Sequence, residues 1–115
     1  SEVRTENRLL LLQAAFWCCL VAVALLALRP AHPQTIPGWD KVNHLFAFGV
    51  LGLLGFFSWR HRVWQVVIGL IGYGCLIEVL QSLTPDRQAD WHDLVANTMG
   101  LVIGWVAARL LRRWA

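Results

Sequence analysis

At 115 residues and 13.0 kDa the chain has room for one compact unit, yet 57% of it is hydrophobic, only 15% is charged and its mean hydropathy is +0.53. An ordinary globular chain carries about a quarter charged and about 45 to 50% apolar residues, so this composition excludes a water-soluble domain of the same size and argues against a disordered chain, a disulfide scaffold or a nucleic-acid module. The formal charge of +3 and the pI near 9.1 come mostly from basic residues beside apolar runs, where they anchor and orient helices instead of binding a polyanion.

The chain begins at Ser1, which predicts a trimmed or tagged start. The first apolar run, Leu9–Leu28, has Gln13 as its only strongly polar member. Twenty residues at 1.5 Å each cross about 30 Å of hydrocarbon. A cleaved signal peptide is the competing reading, but the run is too long and no small-x-small cleavage site follows, so an anchor helix is expected. Pro30, Pro33 and Pro37 then mark an interfacial loop over Arg29–Trp39.

Three further spans follow at Val42–Trp59, Val63–Leu83 and Trp91–Leu111. Only Arg60, His61 and Arg62 separate the second from the third, which forces an antiparallel helical hairpin. Pro85 stops the third span. Trp39 and Trp91 fall at one membrane boundary and Trp59, Trp64 and Trp114 at the other, as two aromatic belts require, with Trp17 and Trp105 inside. Cys18, Cys19 and Cys75 lie within apolar stretches without metal-ligand spacing and read as inert buried thiols.

The expected fold is therefore an all-α membrane protein with four transmembrane helices in a single domain. Arg4, Arg8, Arg60, Arg62, Arg109, Arg112 and Arg113 lie on one side, against Arg29, Lys41 and Arg87 on the other. This asymmetry of seven to three predicts both termini in the cytoplasm of a multi-pass protein of the bacterial cytoplasmic (inner) membrane, with both Pro-containing loops outside.

The outer ends of the last three spans concentrate the polar residues. Asp40, Lys41 and His44 open the second, Glu78 and Gln81 close the third, and Asp86, Arg87, Asp90, Asp93 and Asn97 lead into the fourth. At 100° per residue, Asp90, Asp93, Asn97, Gly100 and Gly104 share one helical face. Gly74, Glu78 and Gln81 share a second, and Asp40, His44, Ala47, Leu51 and Gly55 a third. Polar groups outward and small residues inward along each stripe describe a helix seam. Taken singly, Asp90 and Asp93 read as complements to a helix dipole and Asp40 with Lys41 as an interfacial ion pair. Glu78 is different, because a carboxylate within a helix span is neither cap nor anchor, and facing lipid it would cost on the order of 2 to 3 kcal/mol. His44 reads as a site residue or as a hydrogen-bonded histidine in the seam. His32 and His61 sit in loops, and Gly100 with Gly104 reads as a small-xxx-small packing pair.

Asp40-Lys41-x-x-His44 opening one span, Glu78-x-x-Gln81 closing the next, then Pro85, Arg87, Asp90, Asp93, Asn97 and Gly100, together resemble the VanZ-like family of small polytopic bacterial membrane proteins. The resemblance covers about residues 39 to 104 and rests on the order and placement of these short motifs. The family's name comes from a member linked to glycopeptide (teicoplanin) resistance; the resemblance implies the fold and the location of the site, and carries over neither that member's phenotype nor a reaction.

Counting His as neutral, Asp40, Glu78, Asp86, Asp90 and Asp93 against Lys41 and Arg87 leave the cluster at −3. Its expected role is an outward-facing site in which Asp40, Lys41, His44, Glu78, Gln81, Arg87, Asp90, Asp93 and Asn97 bind a lipid-linked envelope precursor or an amphiphilic antibiotic, with membrane lipids as the surrounding partner and no nucleic acid. A membrane-embedded hydrolase or transferase acting on a lipid headgroup is the alternative. There His44, Glu78 and Asp93 are the catalytic candidates for acid–base work or for holding a hard divalent cation. A small proton-coupled transporter ranks third, because the first span carries no acid and the polar groups crowd at one face. The sequence leaves any cofactor open, and no metal ligand is assigned from spacing.

Overall fold

A computed structural model describes residues 2–28, 39–83 and 91–114, with the backbone alone at 39–41, 113 and 114. Four helices follow one another: α1 (Glu2–Leu28), α2 (Trp39–Ser58), α3 (Val63–Ser82) and α4 (Trp91–Trp114). No strand occurs among the described residues. The fold is all-helical, and α1, α3 and the Trp91–Arg112 part of α4 are each long and apolar enough to cross a membrane. The apolar run of α2, Val42–Ser58, is shorter.

Continuous apolar sequence without internal proline makes these segments helical, and in lipid the helix is the one local structure that satisfies every backbone group within its own segment. The break between α2 and α3 is tight. Trp59 N–H donates to Gly55 O at 2.9 Å and Arg62 N–H to Trp59 O at 3.0 Å, after which Val66 N–H to Arg62 O (3.0 Å) starts the next helix.

Chain direction alternates from helix to helix, as the paired levels show. Tyr73 Oη donates to Leu20 O and Gln81 Nε2 to Ala27 O, so α1 and α3 run parallel. A Cβ placed on Gly100 would meet Leu45 O, and one on Gly104 would lie 2.7 Å from Gly49 O and 3.1 Å from Leu53 N, so α2 and α4 also run parallel. Backbone-to-backbone contact makes α2 and α4 the most extensive helix pair. Only glycine permits so close an approach, and without a solvent-driven hydrophobic force such van der Waals packing is what holds helices together in lipid. The sequence reading of Gly100 and Gly104 as a packing pair corresponds to this seam. Ends of α1 and α3 and starts of α2 and α4 therefore share one end of the bundle, and the start of α1 and the end of α4 lie toward the other.

The core lies along the α2–α4 seam. Phe48, Leu51 and Phe56 are almost wholly enclosed, and Leu70, Leu101 and Ala108 close around them. Leu11, Leu25, Phe46, Ile68, Leu76 and Val102 face outward instead. An apolar exterior on every helix is far more than a soluble monomer shows and fits a lipid environment.

The level of α1 differs from the sequence expectation. Trp17, expected inside the membrane while Trp59 marks its boundary, lies beside Trp59 with ring centroids 6.0 Å apart, and Phe16 sits 5.0 Å from the same ring. Helix α1 also begins at Glu2 rather than near Leu9. The segment before Phe16 contains no buried residue, and at 1.5 Å per residue about 20 Å of helix lies on that side. Charged residues at 2–8 ended the apolar window without ending the helix, because Glu and Arg are good helix formers.

Candidate functional site

Three helices place polar side chains in the bundle at one end. His44 lies in the second turn of α2, Glu78 one turn before the end of α3, and Asp93 and Asn97 in the first two turns of α4. Glu78, Asp93 and Asn97 are 5%, 7% and 4% exposed, and His44 is half-buried. Each stripe that carries them continues into glycine or tightly packed apolar residues. Asn97 is followed by Gly100 and Gly104, Glu78 is preceded by Gly74, and His44 by one turn precedes Phe48. Small residues let the helices approach, and the approach brings the polar groups together.

His44 is oriented through one ring nitrogen. Nδ1 lies 3.0 Å from Asn97 Oδ1. Since a carbonyl oxygen only accepts, Nδ1 is the donor, and in a neutral imidazole this leaves Nε2 with a lone pair. Nε2 faces Asp93 Oδ2 at 3.7 Å, beyond hydrogen-bond length. The other amide atom, Asn97 Nδ2, points toward α3. It would sit 2.9 Å from a Cβ at Gly74, and it is buried with no hydrogen-bond partner among the described residues.

Glu78 completes the group. One nitrogen of His44, one oxygen of Glu78 and one oxygen of Asp93 all lie within 4.8 Å of one another. Two formal negative charges thus share a small buried volume with one imidazole. This arrangement has the parts for proton transfer, for cation binding and for hydrogen bonding to a polar headgroup. Spacing alone did not expose a metal-type constellation, because its three members are 34 and 15 residues apart and converge only through helix packing.

The remaining sequence candidates divide into two sets. Gln81 is buried on the same face of α3 as Glu78, but its amide nitrogen donates 2.8 Å to Ala27 O, tying α3 to the end of α1. Asp40 and Lys41 lie in the first turn of α2, where only the backbone is described, and Asp86, Arg87 and Asp90 lie outside the described residues. His92, not singled out from sequence, is exposed and stacks on Trp91 with ring centroids 3.8 Å apart. Its position beside Asp93 was the available signal.

Opposite this end the polar chemistry is of another kind. Arg112 donates from Nη2 to Phe56 O, and its guanidinium and that of Arg60 each lie 5.8 Å from the Phe57 ring centre. Arg109 lies 5.0 Å from the centre of the Trp105 ring. These are cations held by aromatic faces and a helix carbonyl.

Comparison with known proteins gives one family. The family model described as VanZ/LLP1 matches residues 6–112. No curated protein and no solved structure matches the chain.

Proposed function

The chain belongs to the VanZ/LLP1 family, and from that premise we propose that it is a multi-pass protein of the bacterial cytoplasmic membrane whose buried polar end faces outward and binds a lipid-linked or amphiphilic cell-envelope ligand. The observation that carries this reading is the convergence of His44, Glu78, Asp93 and Asn97 from three helices within an otherwise apolar bundle. Carboxylates at such depth are expensive in lipid and are retained where they serve a ligand, an ion or a proton. The outward orientation rests on the seven-to-three distribution of Lys and Arg, which keeps both termini in the cytoplasm.

Asp40, Lys41, Gln81, Arg87 and Asp90 extend this site in the proposal, with the two cations suited to an anionic headgroup. An effect on envelope properties of the kind linked to glycopeptide resistance is the corresponding cellular role. One observation favours hydrolase or transferase chemistry as a second reading. Asn97 orients His44 so that Nε2 faces Asp93 beside Glu78, a general acid–base arrangement. A transporter is less well supported, since the described buried acids gather at one end instead of crossing the bundle.

Two measurements test the proposal. A reporter fused after Ala115 is expected to read cytoplasmic and one inserted near Gln34 external; the reverse pattern removes external ligands. Native mass spectrometry of protein released from bacterial membranes is expected to show retained phosphorylated lipids for the wild type and their loss for His44→Leu/Asn97→Leu. Equal retention by both would refute headgroup binding at this site.

A further inference from the structure

We propose that His44 Nε2 and one carboxylate oxygen each from Glu78 and Asp93 form a binding site for a single first-row divalent cation of the Zn²⁺ or Mn²⁺ kind. One ring nitrogen of His44 and one carboxylate oxygen from each acid lie within 4.8 Å of one another, so they share a common point no farther than about 2.8 Å from each, and Nε2 is the nitrogen that faces Asp93. Ligand distances of about 2.0 to 2.2 Å for zinc are reached from there by side-chain adjustments of at most about 0.6 to 0.8 Å.

The orientation of His44 is an independent indication. Metal-bound histidines ordinarily donate their other ring N–H to an oxygen that fixes the tautomer and aims the lone pair. Asn97 Oδ1 occupies that position against Nδ1 at 3.0 Å. The lone pair on Nε2 then confronts a carboxylate oxygen at 3.7 Å, too long for a hydrogen bond and suitable for two ligands of one ion. Asn97 is itself 96% enclosed, and its Nδ2 is a buried donor with no partner among the described residues, facing α3 one turn below Glu78.

Donor chemistry selects the ion. Imidazole with carboxylates suits zinc, manganese, iron or cobalt, whereas calcium gathers six to eight oxygens and magnesium keeps a shell of water. Three protein ligands leave a coordination position open. Resting on the headgroup-binding reading, a phosphate oxygen of the ligand fills that position.

The test uses the full-length protein in detergent, stripped with EDTA, desalted and titrated with Zn²⁺ by calorimetry, with metal content counted by mass spectrometry. One equivalent per chain is expected for the wild type and none for His44→Leu or Asp93→Asn. Asn97→Leu, which removes only the positioning group, is expected to weaken binding about tenfold. Circular dichroism confirms folding, and the near-isosteric Glu78→Gln, expected to lose the equivalent as well, keeps the test decisive if another variant unfolds. Stoichiometric binding that survives in all four variants would overturn the site. So would a folded wild type that takes up no Zn²⁺. Co²⁺ loaded in place of Zn²⁺ separates metal binding from phosphate binding. A change in its visible absorption on adding short-chain phosphatidic acid is expected. Bound Co²⁺ with an unchanged spectrum would refute phosphate at the open position and leave the metal site standing.

Discussion

The two ends of the bundle hold their polar side chains in opposite ways. At the end formed by the starts of α2 and α4 and the finish of α3, His44, Glu78, Asp93 and Asn97 turn inward and meet one another across helices. At the other end, Arg60, Arg109 and Arg112 lie over Phe57 and Trp105, and Arg112 donates to the Phe56 carbonyl. Those cations are accommodated one by one, by rings and a backbone oxygen already present in the local helices. The difference teaches that charge in such a bundle is held in two ways: a cation over a ring is accommodated locally by its own and the neighbouring helix, while acids and an imidazole brought together inside the bundle form a shared polar cluster. Polarity alone does not separate the two; convergence does.

The strongest perturbation of this contrast is at the glycine seam that makes convergence geometrically possible. Gly100→Leu drives a branched side chain into the backbone at Leu45, one turn from the His44–Asn97 pair. A loss of more than about 3 kcal/mol is expected, since backbone on both sides cannot yield. Thermal unfolding in detergent should show it, with site binding lost even in the fraction that remains folded. A variant that melts like the wild type would mean that α2 and α4 are not held by this contact.

Leu51→Ala falls between the two ends, in the wholly enclosed core. A loss of about 2 to 4 kcal/mol is expected from the cavity and missing contacts, with ligand binding per folded molecule unchanged. At the anchoring end Arg112→Ala removes one hydrogen bond and one ring contact, for about 1 to 2 kcal/mol. Melting and binding measured together on this variant sharpen the comparison, because an anchor contributes to the first and not to the second.

Much of the arrangement is legible in the sequence, and the reasons are physical. Apolar runs punctuated by proline and arginine mark the four helices, and the 100° rotation per residue puts Asp93, Asn97, Gly100 and Gly104 on one face. All four are buried. What periodicity does not contain is the relative level of separate helices. Trp17 therefore lies beside Trp59, away from its expected depth, and Gln81 uses its amide nitrogen on Ala27 of α1 while Glu78 joins His44 and Asp93. The bond between His44 Nδ1 and Asn97 Oδ1 spans 53 residues. It depends on a Gly100 contact whose closeness no linear pattern states.

The smallest expected effect on stability, and the most informative one, belongs to Glu78→Gln. Glutamine keeps the length and shape of glutamate, and Oε1 still accepts a hydrogen bond while Nε2 gains the ability to donate. The side chain is 5% exposed, so removing its charge relieves the desolvation that a buried carboxylate carries. If the charge is there for a ligand, the variant should melt no lower than the wild type while its retention of metal and of phosphorylated lipid falls sharply. If the charge is there for the fold, neutralising it leaves the positive or donor groups around it without their partner, and the protein melts early. Function then declines only in proportion to the folded protein that remains. That second outcome would place Glu78 with Arg112, as a structural contact at its own end of the bundle, and the contrast between a converging end and an anchoring end would lose its central residue.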